Sequence, residues 1–129
     1  MKKDEIIQYW IKSSDEDFEV MIDLFNLKKY SYALFFGHLV IEKLLKAYYV
    51  KNVEINVPKI HDLLKLADKS NIELTDEQKV MLKNFNTFNI KARYDDFKKK
   101  FYEKCDKEFT NENIEKITEI RKWLRADII

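Results

Sequence analysis

An all-α fold, an up-and-down bundle of about five helices, is what this 129-residue sequence predicts, and three observations carry the prediction. The chain holds one Gly and one Pro. Turns and strand bends ordinarily need those residues, so few connections join long segments. Apolar residues recur at helical spacing over most of the length. Hydrophobic residues make up 46% of the chain and aromatics 14%, enough for a core in a protein that buries roughly two-thirds of its unfolded surface.

Ile7, Ile11, Phe18, Met21, Ile22 and Phe25 form the first stripe. Ser13 and Glu16 match a capping box, but the stripe runs through Ser14 in phase, so the spacing predicts one helix from about residue 3 to 27. A small residue at position 14 lets a neighbouring helix come close. YSYALFFGHLVIEKLLKAYYVKN, residues 30 to 52, is apolar around most of its circumference, as a central buried helix is. On it His38, Glu42, Lys46 and Tyr49 lie within about 80° of one another at the 3.6-residue period, a narrow polar stripe, and Gly37 marks a close helix contact. VEINVPKI is a connector, since Pro58 stops a helix from running through it. A short amphipathic helix beginning at His61 turns Leu63, Leu64 and Ala67 inward. Thr75 and Gln78 frame a capping box for a helix carrying Val80, Met81, Phe85 and Phe88 and ending near Ala92 or Tyr94. Residues 95 to 109 read as a short helix or a loop, and residues 110 to 129 as a closing helix. Without internal repeats, residues 1–129 are expected to form a single domain.

The balance of 24 basic and 23 acidic residues, net charge +1, gives no global nucleic-acid footprint. Locally, residues 91 to 104 hold Lys91, Arg93, Lys98, Lys99, Lys100 and Lys104 against Asp95, Asp96 and Glu103, while the first helix carries Asp15, Glu16, Asp17, Glu19 and Asp23. The basic segment reads as a solvated face, as a phosphate-contacting face with Phe97, Phe101 and Tyr102 for stacking, or as a patch that meets the acidic one between subunits or on a partner protein. The single Cys105 forms no internal disulfide and reads as incidental. No signal peptide is evident, and the apolar run over 32–50 is broken by His38, Glu42, Lys43 and Lys46, so no membrane span and a cytoplasmic location are expected. Two scattered histidines and one cysteine lack ligand spacing, and one glycine cannot make a phosphate loop, so neither metal nor cofactor is expected.

Phosphoester cleavage without a metal needs a proton acceptor and a cation, which His61 and Arg93 could supply together. The simpler reading of His61 is a ring packed near Pro58 or bonded to a helix end. His38 reads as a satisfied buried histidine. Glu42 and Lys46 form a favourable i,i+4 ion pair, or line a cleft or dimer interface with His38 and Tyr49. A desolvated charge there requires a partner on another helix, for which Arg93 is a candidate.

Four pieces, ALFFGHLVIEKLLKAYYV, PKIHDLLKLA, NFNTFNIKARYDD and the long first helix with its acidic middle, together resemble the HEPN domain. That small helical domain is often found beside minimal nucleotidyltransferases. The resemblance implies a four- to five-helix bundle, often a homodimer, that works on nucleotides or RNA. Many members are metal-independent ribonucleases or toxins whose arginine is followed four to six residues later by a histidine. Others are nucleotide- or substrate-binding subunits of a nucleotidyltransferase. Here no histidine follows Arg93, Arg121 or Arg125, so the chain resembles the branch without the nuclease pair, and the reading favours a non-enzymatic role. The expectation is a prokaryotic nucleotide- or RNA-binding partner subunit of a minimal nucleotidyltransferase in a toxin–antitoxin-type pair, as a homodimer. Arg93 would contact a phosphate or an acidic residue, and Tyr94 would stack or accept a modifying group. Lys46, Glu42, His38 and His61 would form the supporting polar set. The rivals are a ribonuclease built on His61 and Arg93, and a structural homodimer without a ligand.

Overall fold

The computed structural model describes residues 2–93 and 95–128, with the side chains of residues 90–97 outside that description. Six helices and no strand are present among the described residues: α1 (Lys3–Asn26), α2 (Tyr30–Asn52), α3 (Leu63–Lys69), α4 (Asp76–Arg93), α5 (Asp95–Lys104) and α6 (Lys107–Ile128). The helix beyond the expected five is α5, in the segment whose sequence reads either way. The closing helix starts three residues earlier than its apolar pattern suggests, because the Asp106 side chain accepts from the Phe109 N–H at 2.8 Å and caps it.

α2 is the central rod and packs against α1, α3, α4, α5 and α6. Leu34, Val40, Ile41, Leu44, Leu45 and Val50 are wholly buried on it, as a helix without a polar face requires. Two small residues set how close its neighbours come. Ser14 of α1 is buried and donates its hydroxyl to the Val40 carbonyl at 2.8 Å. A Cβ on Gly37 would collide with Ile117 of α6 and crowd Met21 of α1, so three helices cross where only hydrogen fits.

With so little Gly and Pro, the chain turns by other means. α1 ends in a Schellman motif: Lys28 adopts φ 62°, the Lys28 N–H donates to the Phe25 carbonyl, and the Lys29 N–H donates to the Leu24 carbonyl at 2.8 Å. α3 ends the same way, with Asn71 at φ 58° and the Ile72 N–H on the Ala67 carbonyl. The capping box opens α4 reciprocally, Gln78 N–H to Thr75 Oγ1 at 3.1 Å and Thr75 N–H to Gln78 Oε1 at 2.9 Å.

Three inward assignments change. On α4 Val80 is exposed and Leu82 takes its place in the core with Phe85 and Phe88, since position 80 lies roughly 200° around the helix from position 82. On α3 Leu66 is wholly buried and Leu64 only partly. Phe101 is buried and stacks on Phe88, ring centroids 5.9 Å apart, so it is a core residue that no base can reach. Tyr102 is exposed beside Lys98, Lys99, Lys100 and Lys104, and Phe97 lies outside the described side chains. The acidic middle of α1 meets cations of its own chain. Asp15 pairs with Arg121 at 3.1 Å and Arg125 at 3.4 Å, and Asp17 with Lys43. No described helix is long and apolar enough to cross a membrane.

Candidate functional site

The polar stripe on α2 carries charge into the core, and its centre is the buried Glu42. The carboxylate is 3% exposed and accepts two hydrogen bonds, from Lys46 Nζ to Oε2 at 3.0 Å and from His61 Nδ1 to Oε1 at 2.9 Å. Among the described residues, the partner that a buried charge demands from another element is His61, in the connector before α3. Arg93 supplies the last residue of α4, and its side chain falls outside the described residues, as does Tyr94 entirely.

Three groups hold His61 in place. Its carbonyl accepts from His38 Nε2 at 2.9 Å. Asp62 caps α3, accepting from the Leu64 and Lys65 N–H groups. Asn86 of α4 then grips the corner twice, with Oδ1 accepting from the Leu63 N–H at 2.8 Å and Nδ2 donating to Asp62 Oδ1 at 3.1 Å. The His61 ring itself bonds to Glu42, in the middle of α2, and not to a helix end.

Hydrogen-bond logic assigns the protons. The His61 carbonyl only accepts, so His38 Nε2 carries a hydrogen. The Asn89 amide Nδ2 only donates, and it sits 3.4 Å from His38 Nδ1, so that nitrogen is the acceptor. His38 is wholly buried with both ring nitrogens in reach of partners, a satisfied core histidine. Glu42 lies 3.8 Å from His38 Nδ1, beyond hydrogen-bond reach. His61 donates from Nδ1 to a carboxylate, so its Nε2 is free to accept in the neutral form, on a side chain 54% exposed.

Lys46 belongs to two environments. Besides Glu42 it meets the Trp10 ring of α1, with Nζ 5.1 Å from the centroid, a cation–π distance. Beyond it opens a cavity of about 670 Å³ between the start of α1 and the 55–59 connector, lined by Tyr9, Trp10, Lys46, Val57, Pro58 and Lys59 among others. The fourth stripe residue, Tyr49, leaves the cluster: its hydroxyl donates to Glu54 at 3.3 Å. Burial and then the Glu54 charge raise its pKa above the ordinary phenol value.

The fold therefore brings together His38, Glu42, Lys46 and His61. Asn86, Asn89, Trp10 and Lys59 join them without having stood out in the sequence. The asparagines carry a signal, since positions 86 and 89 are three apart and flank Phe85 and Phe88 on the inward face of α4. Trp10 carries none beyond its place beside Ile11. Among the described residues no three of His, Cys, Asp and Glu gather as a metal site.

A family model described as the HEPN domain matches residues 7–127. No curated protein and no solved structure gives a match.

Proposed function

Because the chain belongs to the HEPN domain family, whose role is related to nucleotides or RNA, we propose that it is a nucleotide- or RNA-binding subunit. In this reading it forms a homodimer and is paired with a minimal nucleotidyltransferase in a toxin–antitoxin-type system. One observation supports the reading above the rest. Lys46 is fixed between a buried carboxylate and an indole at the edge of a cavity, with His61 locked beside it. A rigid cation and an aromatic face at one concavity are what recognition of a phosphate-bearing base calls for. Arg93, the last residue of α4, and Tyr94, next in the sequence, remain the candidates for contact with phosphate and for acceptance of a transferred group. Co-expression with the adjacent reading frame, followed by native mass measurement, tests this. The expected masses are those of a dimer, a dimer with the neighbouring protein, and a chain carrying added nucleotide. A bare monomer in every preparation contradicts it.

A second reading is favoured by one distance. The 2.9 Å bond from His61 Nδ1 to Glu42 is the carboxylate–imidazole arrangement that orients a general base, with the far nitrogen half in solvent. RNA cleavage that disappears in His61→Ala selects this reading over the first.

A further inference from the structure

The cavity beyond Lys46 has a shape and chemistry of its own, and they narrow the ligand. At about 670 Å³ it falls within the range of roughly 300–1,000 Å³ typical of small-molecule sites. Its walls are apolar and partly flat. The Trp10 indole is held edge-to-face by Tyr9, with ring centroids 5.1 Å apart at 80°, and Val57 and Pro58 lie among the other lining residues. Pro58 has a fixed φ and no backbone donor, so this part of the connector is stiff and offers little polar surface. The polar groups lining the cavity are few and chosen: Lys46, Lys59, the Asn56 amide and the Tyr9 hydroxyl.

The two cations differ in availability. Lys46 is largely buried and spends one N–H on Glu42, so its charge is mostly balanced. Lys59 is exposed and has no ion-pair partner among the described residues. Counting the described residues, the cavity lining thus carries about one uncompensated positive charge and two aromatic rings. A nucleic-acid strand would need a track of cations leading in and out. The lysines of α5, which could provide one, do not line the cavity. A purely apolar peptide would leave Lys59, Lys46 and Asn56 without matching groups.

We propose that this cavity takes a single nucleoside monophosphate, its base laid against the Trp10 indole and its phosphate on Lys59 with Lys46 behind, instead of a run of nucleotides. The proposal rests on the nucleotide-binding reading above and specifies its ligand and its seat.

Trp123 and Trp10 are the two tryptophans of the chain, so the Trp123→Phe variant leaves Trp10 as the sole indole reporter. Titrating it with AMP, GMP, CMP and UMP, against adenosine, inorganic phosphate and a hexaribonucleotide, is the test. The expected result is saturable quenching by the monophosphates, strongest for the purines, and at least about fivefold weaker binding of adenosine and of inorganic phosphate. Because stacking on one aromatic ring contributes roughly tenfold or more to affinity, Trp10→Ala should weaken AMP binding by at least that factor in calorimetry. Lys59→Ala sits on an exposed loop and keeps the test open if Trp10→Ala fails to fold. It should weaken AMP about fivefold and leave adenosine unchanged. AMP bound equally well by wild type, Trp10→Ala and Lys59→Ala overturns the proposal and leaves the nucleotide-binding reading standing. Absence of binding by any nucleotide or RNA in equilibrium dialysis overturns both. Quenching that tracks protein concentration without ligand overturns it as well, and marks the cavity as covered by a second copy of the chain.

Discussion

A carboxylate as buried as that of Glu42 carries a desolvation cost that Lys46 and His61 offset together, in unequal shares. Lys46 is largely buried and His61 half exposed, so losing the lysine strands the buried charge while losing the imidazole lets water in. Lys46→Met should therefore destabilise the fold by about 3 kcal/mol and His61→Ala by under about 1.5 kcal/mol, measured by urea unfolding. Equal losses would mean that the two partners share the charge evenly. Tyr48 gives a second residue-level expectation. Its hydroxyl donates to the Leu124 carbonyl at 2.6 Å, and burial, then the Asp127 charge, raise its pKa to about 12 from 10.0. The folded state keeps a proton that the unfolded chain releases above pH 10, so this contribution is complete below pH 10 and fades as pH rises through about 12. Tyr48→Phe should cost about 1 kcal/mol at pH 7 by removing a buried hydrogen bond, and should shrink the loss of stability between pH 10 and 12. An unchanged alkaline profile would remove Tyr48 from the account. At this scale the sequence revealed the stripe on α2 through its period, and the demand for a partner through its burial. It hid the partner's identity, because His61 reaches Glu42 across 19 positions by way of a connector whose path no periodicity records.

α3, α4 and α6 begin with side-chain caps, and α1 and α3 end with left-handed residues, which is how one glycine suffices. The left-handed conformation costs an L-residue such as Lys28 roughly 1–2 kcal/mol, and glycine at this position avoids it at some cost in chain entropy. Lys28→Gly should accordingly raise stability by up to about 1 kcal/mol in denaturant titration, and a loss of stability would show that the Lys28 stem contributes packing that the turn geometry does not reveal. Helix extents were legible because the apolar period and the Thr75–Gln78 box are local signals. α5 was not, since its pattern, DDFKKKF, is mostly charged and shows one buried aromatic among the described side chains, Phe101. What decides it is the Phe101 ring on Phe88, a tertiary contact that sequence spacing does not encode.

Across the whole molecule, nearly equal numbers of acids and bases are sorted into pairs and a remainder. Asp15 and Asp17 of α1 are met by Arg121, Arg125 and Lys43, and Arg121 also lies over the Phe18 ring, 3.9 Å from its centroid. The described lysines of α5 and Lys59 are exposed, and the buried His38, Glu42 and Asn89 lie together with His61. Such a site, backed by Asn86 and Asn89, suits recognition. The measurement that meets this claim most directly is the melting temperature of the purified chain with a panel of nucleotides and a short labelled RNA, with the length of the RNA checked in the same tubes. A bound nucleotide at 100 times its dissociation constant should add about 2.7 kcal/mol of stability, seen as a raised transition, while the RNA comes through at full length. A transition that no ligand moves, or RNA shortened by the wild type and left whole by His61→Ala, would contradict it.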